Sequence, residues 1–596
     1  MKARASARGV RLCVILVIAA MLPFSFTGTA AARNQSDPQD FFGIVGRDPW
    51  YEYNTDPAQW PNQVNQTFMD SMNAGMQNLG ARWERIEIHG EYDQPVGPGR
   101  IDYSKTDWFI QQDAPSHGLK ILAVLGTGIV ADLDKTYQFN HINDPLDASG
   151  ENLYSRAYVQ RAHEIVSHYG DAVGAYEILN EPNANLLLSQ ETHGATAAVN
   201  PIAYGRVVTD IYSAEKAAHP NVQFIAGSLL YDDHGTAQHL TWLQQVMASP
   251  AVQQYVQQHK HFPWDGVSIH PYNLPASGVL TQIGVLHNLQ LAHGDGTPIW
   301  VTEIGMPAAP PDWTSYGIMD PTSDEQQQAT FLHDVYTALR DQAPYVDHVF
   351  WFKYEDFGSG DTYANWGLVR LRDSSLRYGP DATPWPRKLA YSVYQSLARP
   401  GASPAAPVPA PANQGPGLLD FPPTGHTLSG PFLTYWQNHG GLSMFGYPTT
   451  EVFYVQGRAV QYFERARFEY WPEFQGTPYE VQLGLLGRYV TRNRTFPTFG
   501  PPAQPTGPDR VYFPQTQEYL AFGFKTYWEQ HGGLAMFGYP ISPEIQETNP
   551  ADGKTYTVQY FERARFEYHP EFKGTPYEVE LGLLGNEVLS APGWYR

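Results

Sequence analysis

The chain has 596 residues, enough for several domains, and with 42% hydrophobic and only 16% charged residues it is not a generally disordered polymer. Its formal net charge of −22 weighs against nucleic acid or an anionic membrane surface as a partner, because like charges repel. A single cysteine, Cys13, excludes a disulfide framework.

The first element in the chain reads as a leader. Lys2, Arg4, Arg8 and Arg11 precede an apolar run from Leu12 to Phe26, and Ala30, Ala31 and Ala32 follow it, which is the basic, apolar, small-residue order of a secretory signal peptide over residues 1–32. The pattern predicts cleavage near Ala32 and a secreted protein. The alternative is an uncleaved anchor, but the run is broken by Pro23 and is short of the roughly 20 residues a spanning helix needs. No later stretch approaches that length, so no transmembrane segment is expected in the mature chain.

Over residues 40–398, short β-branched runs alternate with longer helical stretches, the pattern of βα units around a parallel sheet. Eight strands are predicted, at Gly43–Gly46, Ala81–Ile88, Leu119–Gly126, Ala175–Asn180, Val222–Leu229, Gly266–His270, Pro298–Glu303 and His348–Tyr354. The fold class is therefore α/β, a (β/α)8 TIM barrel, whose reactive groups belong at the carboxyl ends of the strands. A doubly wound open sheet is the rival, but no glycine-rich phosphate fingerprint follows the first strand.

Residues 399–418 form a linker in which Pro400, Pro404, Pro407, Pro409, Pro411 and Pro416 are spaced by Ala, Gly, Ser and Val. Beyond it, residues 419–596 repeat themselves. Thr434–Leu442 returns as Thr526–Leu534, and Phe445–Pro448 as Phe537–Pro540, both at an offset of 92 residues. Gln461–Tyr470 returns at Gln559–Tyr568, so the second copy carries extra residues around Asn549 to Thr555, where Asp552-Gly553 reads as a hairpin turn. Repeats at about 421–490 and 513–588 form one tandem module.

The chemistry concentrates on two strand ends. The fourth strand ends in Asn180-Glu181-Pro182, and the seventh delivers Glu303 with no basic residue beside it. Two glutamates on separate strand ends suit glycoside hydrolysis, in which one carboxylic acid protonates the leaving oxygen and one carboxylate attacks the anomeric carbon. The charge on Glu303 is expected to keep a proton on Glu181 until Glu303 is glycosylated, after which Glu181 serves as base for water. Asn180 is placed to meet the neighbouring sugar hydroxyl. Glu177 competes with Glu181, but at strand rise it lies about 13 Å lower and reads as a barrel-interior group. Glu355 and Asp356 read as loop ligands or solvated charges.

On these residues the segment from about Phe41 to Ala398 resembles the clan A glycoside hydrolases, which include cellulases, mannanases and β-xylosidases. The resemblance implies Glu181 as acid/base, Glu303 as nucleophile and action on β-linked glycans with retention. It also implies that Arg85 holds the nucleophile ionised, that His270 or Tyr272 is the polar neighbour from strand six, and that Trp351 floors the sugar site. Each has another reading in the sequence itself: Arg85 as an ion pair with Glu84 or Glu87, His270 and Tyr272 as satisfied buried groups, and Trp351 as core if the register differs by one. Trp50, Tyr51, Tyr53, Trp60, Trp83, Tyr354 and Trp366 fall near loops predicted on the same side, where aromatic faces stack on sugars, with core or lid residues as the other reading for many of them.

The repeat pair resembles bacterial LGFP-type cell-wall or surface repeats in its Gly, Phe, Gly, Tyr and Pro spacing. That implies cell-wall or glycan attachment for the module, while Trp436, Tyr447, Trp528 and Tyr539 read either as a grip on glycan or peptidoglycan or, the favoured reading, as the mini-core of each copy. No His/Cys cluster, serine elbow or phosphate loop is present, so neither a metal nor a cofactor is expected. The reading is thus a secreted retaining glycosidase acting on a polysaccharide or oligosaccharide. Its alternatives are a non-catalytic carbohydrate-binding or cell-surface protein on a barrel scaffold, and a transglycosylase using the same carboxylates.

Overall fold

The structure, a computed structural model, describes residues 38–46, 66–88, 103, 106–130, 142–184, 198–231, 238–272, 274–308, 325–356, 365–369, 387–400, 418–421, 423–450, 452–455, 458–502, 507–549 and 553–590. The leader, nearly all of the linker, and Trp50, Tyr51, Tyr53 and Trp60 lie outside the described residues.

Eight strands close a barrel in sequence order: β1 Phe42–Val45, β2 Trp83–Ile88, β3 Lys120–Leu125, β4 Ala175–Ile178, β5 Gln223–Leu230, β6 Gly266–His270, β7 Ile299–Ile304 and β8 Val346–Trp351. Every neighbouring pair is parallel, including β8 back onto β1 through Phe42↔Val349 and Ile44↔Trp351. Parallel strands are covered on both faces, which is why β7 is buried at all six positions and reads as a run of large side chains rather than an alternation. Long helices follow the strands, among them α1 Gln66–Leu79, α2 Leu153–Tyr169, α3 Pro201–Glu215, α4 Gln238–Met247, α5 Pro250–His259, α6 Ala276–Ala292, α7 Glu325–Gln342 and α8 Leu389–Ala398. Asn152 starts α2 by a reciprocal capping pair with Ser155. No helix among the described residues is long and apolar enough to cross a membrane.

Alternation along each strand sorts two cores. Val45, Trp83, Leu122, Ala175, Ile225, Trp300 and Phe350 fill the barrel, with Trp83 edge-on to Trp300 at 5.4 Å and His348 stacked on Trp300 at 3.8 Å. A Trp300→Ala change would remove the centre of this plug at a cost of about 3–5 kcal/mol. The larger core lies between strands and helices. Trp351, expected to floor a sugar site, belongs there: it is fully buried and packs against Phe331 of α7, because Phe350 takes the inward position of β8 and the next residue must face out. Trp83 likewise lies at the start of β2 inside the barrel, not on a loop at the carboxyl end.

After the linker, residues 418–490 and 510–590 have the same element order, a two-stranded and a four-stranded antiparallel sheet with short helices. Trp436 and Trp528 donate their indole N–H groups to Gly446 O and Gly538 O, at 3.2 and 3.1 Å, inside the shared apolar core. Each copy ends on the other: a Cβ at Gly487 would meet Phe561 O at 1.8 Å, and one at Gly585 would meet Phe463 O at the same distance. Glycine at both places is what lets the terminal helices dock across the pair.

Candidate active site

Three departures from regular strand geometry build the site. β4 stops at Ile178, two residues before the predicted end, because Leu179 (φ 64°) and Glu181 (φ 47°) take left-handed backbone that turns the Asn180-Glu181 pair across the barrel mouth. Asn183 ties this turn down by exchanging two 2.9 Å bonds with the backbone of Leu230 at the end of β5. In β5 the pairing with β6 slips between Ala226 and Leu229, and Gly227 (φ 108°) leads into Ser228 (φ 51°), aiming the serine hydroxyl inward. In β7 the pairing with β8 slips between Val301 and Ile304, so the sequence neighbours Thr302 and Glu303 both reach the interior.

Arg85 on β2 organises these groups. Its Nε donates to Glu177 Oε2 at 2.8 Å, Nη1 to Glu303 Oε1 at 2.5 Å and Nη2 to Asn180 Oδ1 at 2.8 Å. The guanidinium fork thus spans three strands, and Glu87, its neighbour in sequence, adds to its hold through charge. Tyr272 donates its hydroxyl to Glu303 Oε2 at 2.8 Å, so both carboxylate oxygens are held. His270 Nδ1 lies 2.8 Å from Glu181 Oε1 and 3.7 Å from Glu303 Oε2. Single donor atoms of Glu181, His270 and Glu303 all fall within 4.8 Å of one another. The two carboxylates therefore face one another across the barrel mouth, with His270 between their strands.

The charges follow from this packing. Burial alone pushes the Glu303 carboxyl up, but the facing His270 and Arg85, the Tyr272 hydroxyl and Lys353 outweigh it and hold the group below the usual carboxylate range. Burial disfavours the charged Arg85, yet Glu177 and Glu303 more than reverse this and hold it protonated. Burial, and then the charge of Glu303, raise Tyr272 far above an ordinary phenol, so it stays a donor. His270 is lowered by burial and raised by Glu303 and Glu181, with the net direction upward.

The structure thus gathers Arg85, Asn180, Glu181, His270, Tyr272 and Glu303 at one place, and leaves Trp351 out. Tyr272 packs with Phe352 and Trp366, three rings edge to face with centroids 5.6 to 6.2 Å apart. Glu355 and Asp356 are not solvated: both are buried, and Asp356 pairs with Lys388 at 2.6 Å and accepts from Gly367 N. Tyr354 is buried as well. The inward aim of Thr302 and Ser228 depends on the two bulges and cannot be read from regular alternation, whereas Glu177 is the buried barrel-interior group expected and binds Arg85. The one signal for the first bulge was the Gly227-Ser228 pair.

Residues 178–377 match the glycosyl hydrolase catalytic core. That family match begins at the end of β4 and takes in Asn180, Glu181, His270, Tyr272 and Glu303, while Arg85 and the first three strands precede it. No curated protein matches the chain. Among solved structures, a family 39 glycoside hydrolase from Bacteroides cellulosilyticus is 18% identical, with 65% of this chain and 70% of that one covered at a TM-score of 0.40. A thermostable mutant xylanase from Cellvibrio japonicus is 12% identical, covering 60% of this chain and 97% of that one at 0.42.

Proposed function

We propose that this chain is a retaining glycoside hydrolase acting on β-linked glycans, with Glu303 as nucleophile and Glu181 as acid and then base. The carrying observation is that Glu181 and Glu303, from separate strand ends of a closed barrel, bring carboxylate oxygens within 4.8 Å of one another. Glu303, ionised and gripped by Arg85 and Tyr272, attacks the anomeric carbon as Glu181 gives its proton to the departing oxygen. A covalent glycosyl ester on Glu303 results. Water then attacks that carbon, the ester bond breaks, and the water's proton passes to Glu181. Asn180 has its carbonyl oxygen turned to Arg85, which leaves its NH2 for the sugar hydroxyl beside the reacting carbon. Tyr272, Phe352 and Trp366 offer ring faces and edges to the sugar.

The basic, apolar and small-residue order of residues 1–32 supports export, and the tandem module supports a further role in holding the enzyme at a cell wall or glycan. The test is release of new reducing ends from a panel of β-glucans, mannan, xylan and galactan, with Glu303→Gln as blank. Release that the variant abolishes supports the proposal. Polymers retained by the chain but never cleaved would favour a binding protein instead.

A further inference from the structure

His270 has one nitrogen toward Glu181 and the other toward two hydroxyl groups. Nε2 lies 3.1 Å from Thr302 Oγ1 and 3.1 Å from Ser228 Oγ. Both hydroxyl protons are engaged elsewhere: Thr302 donates to Glu177 Oε1 at 2.7 Å, and Ser228 donates to Asn180 Oδ1 at 3.2 Å. A hydroxyl whose proton is committed offers only lone pairs, so Nε2 must supply the hydrogen to both contacts. Glu177 cannot release Thr302, because its other oxygen is bound to Arg85 and the pair is wholly buried, where an ionised carboxylate only accepts.

We propose that Glu177, acting through Thr302, is a positioning residue that fixes His270 with its hydrogen on Nε2 and leaves Nδ1 to share a single proton with Glu181. The inference rests on the reading of Glu181 as acid and base. In the first half-reaction the shared proton goes to the leaving oxygen as its bond to the anomeric carbon breaks and the bond to Glu303 forms. Between the half-reactions Nδ1 then presents a lone pair to an ionised Glu181. It has no hydrogen to give, so it does not quench the carboxylate that must take a proton from water. The opposite tautomer would donate to that carboxylate and blunt both steps.

The charges that face the ring are Glu181, Glu303 and Arg85. Burial opposes a cationic His270, and the charge of Glu303 is the strongest influence favouring one. Glycosylation of Glu303 removes that influence at the stage when Nδ1 must be bare. The ring of contacts from Glu181 through His270, Thr302, Glu177 and Arg85 to Glu303 thereby links the protonation of one glutamate to the charge of the other.

The test combines Thr302→Val with Ser228→Gly, which removes both acceptors while glycine suits the left-handed backbone at position 228. Thr302→Ser keeps the hydroxyl and serves as the rescue. Histidine is labelled with nitrogen-15 in the full chain, and the His270 ring signals are assigned by their loss in His270→Asn. The expected result is a hydrogen on Nε2 in the native chain and in Thr302→Ser, moving to Nδ1 in the double variant. In parallel, kcat/KM of the double variant should fall by about tenfold or more beyond any general loss on aryl glycosides with poor leaving groups, compared with good ones. A bare Nε2 in an active native chain, or equal losses on both substrates, overturns the inference alone. A native chain with Nε2–H but no glycosidase activity overturns the functional reading, and with it the role given to Nδ1.

Discussion

Replacing Arg85 by methionine, close in length and uncharged, tests the electrostatic centre of the site. Arg85 is 5% exposed and binds Glu177 at 0% and Glu303 at 8%, so the substitution leaves two buried carboxylates, with His270 and Lys353 still favouring an ionised Glu303. Breaking a buried pair while one charge stays behind costs about 3–5 kcal/mol. For a barrel of this size that corresponds to a loss of roughly 5–10 °C in Tm, since the shift per kcal/mol shrinks as domains grow. The pH dependence has a definite sign. In the native chain Glu303 is held below its ordinary range, a contribution present above the unfolded carboxyl range and lost as pH falls. In the variant the orphaned carboxylates bind protons more tightly folded than unfolded, so the penalty is full at neutral pH and fades on acidification. The gap between the two melting curves should therefore close toward about pH 4. Adding Glu177→Gln to Arg85→Met should restore part of the loss, because it removes one of the stranded charges. Calorimetry of the full chain across pH reads all three outcomes. A variant that melts within about 1 °C of the native chain at pH 7, or a gap that widens on acidification, would show that Arg85 does not offset the buried carboxylates.

Other outcomes follow from single contacts. Tyr272→Phe removes a hydrogen bond to an ionised Glu303 and should lower kcat/KM by about ten- to a hundredfold with the Tm little changed; kinetics and melting on the same preparation check it. Glu181→Ala should keep a first step only on glycosides with good leaving groups, and azide in place of water should speed the second, as product analysis would reveal. Glu518 is a buried carboxyl with neither oxygen hydrogen-bonded, and burial pushes it up to about 7. The folded chain therefore loses stability as pH rises from the unfolded carboxyl range through 7. Glu518→Gln should raise Tm at pH 8 and have little effect at pH 4.5, and a benefit confined to acid pH would contradict this.

Much of the barrel was legible because parallel strands buried on both faces read as short apolar runs; β6 falls at the predicted Gly266–His270, and the others begin or end within a few residues of expectation. The strand ends carrying Glu181 and Glu303 could be found for the same reason. What could not be read depends on departures from period two. Strict alternation with Glu303 inward would send Thr302 outward, and only the slip in β7 brings both to the interior. A regular strand through Glu181 would set Glu177 far below it, but the left-handed turn at Leu179 and Glu181 breaks that count. Trp351 lies in the outer core through a one-residue difference in facing, which composition does not encode. Asp356 looked solvated because its cation, Lys388, lies 32 residues away in sequence.

A covalent bond between Glu303 and the sugar would be caught by mechanism-based trapping. The purified chain would be incubated with 2-deoxy-2-fluoro glycosides of glucose, xylose, mannose and galactose bearing dinitrophenyl leaving groups, then weighed intact and mapped by peptide mass. The expected result is one fluorosugar per chain, on the peptide containing Ile299–Ile304 with the modification at Glu303, and no adduct in Glu303→Gln. A label on another carboxylate, or an adduct that persists in Glu303→Gln, would contradict it.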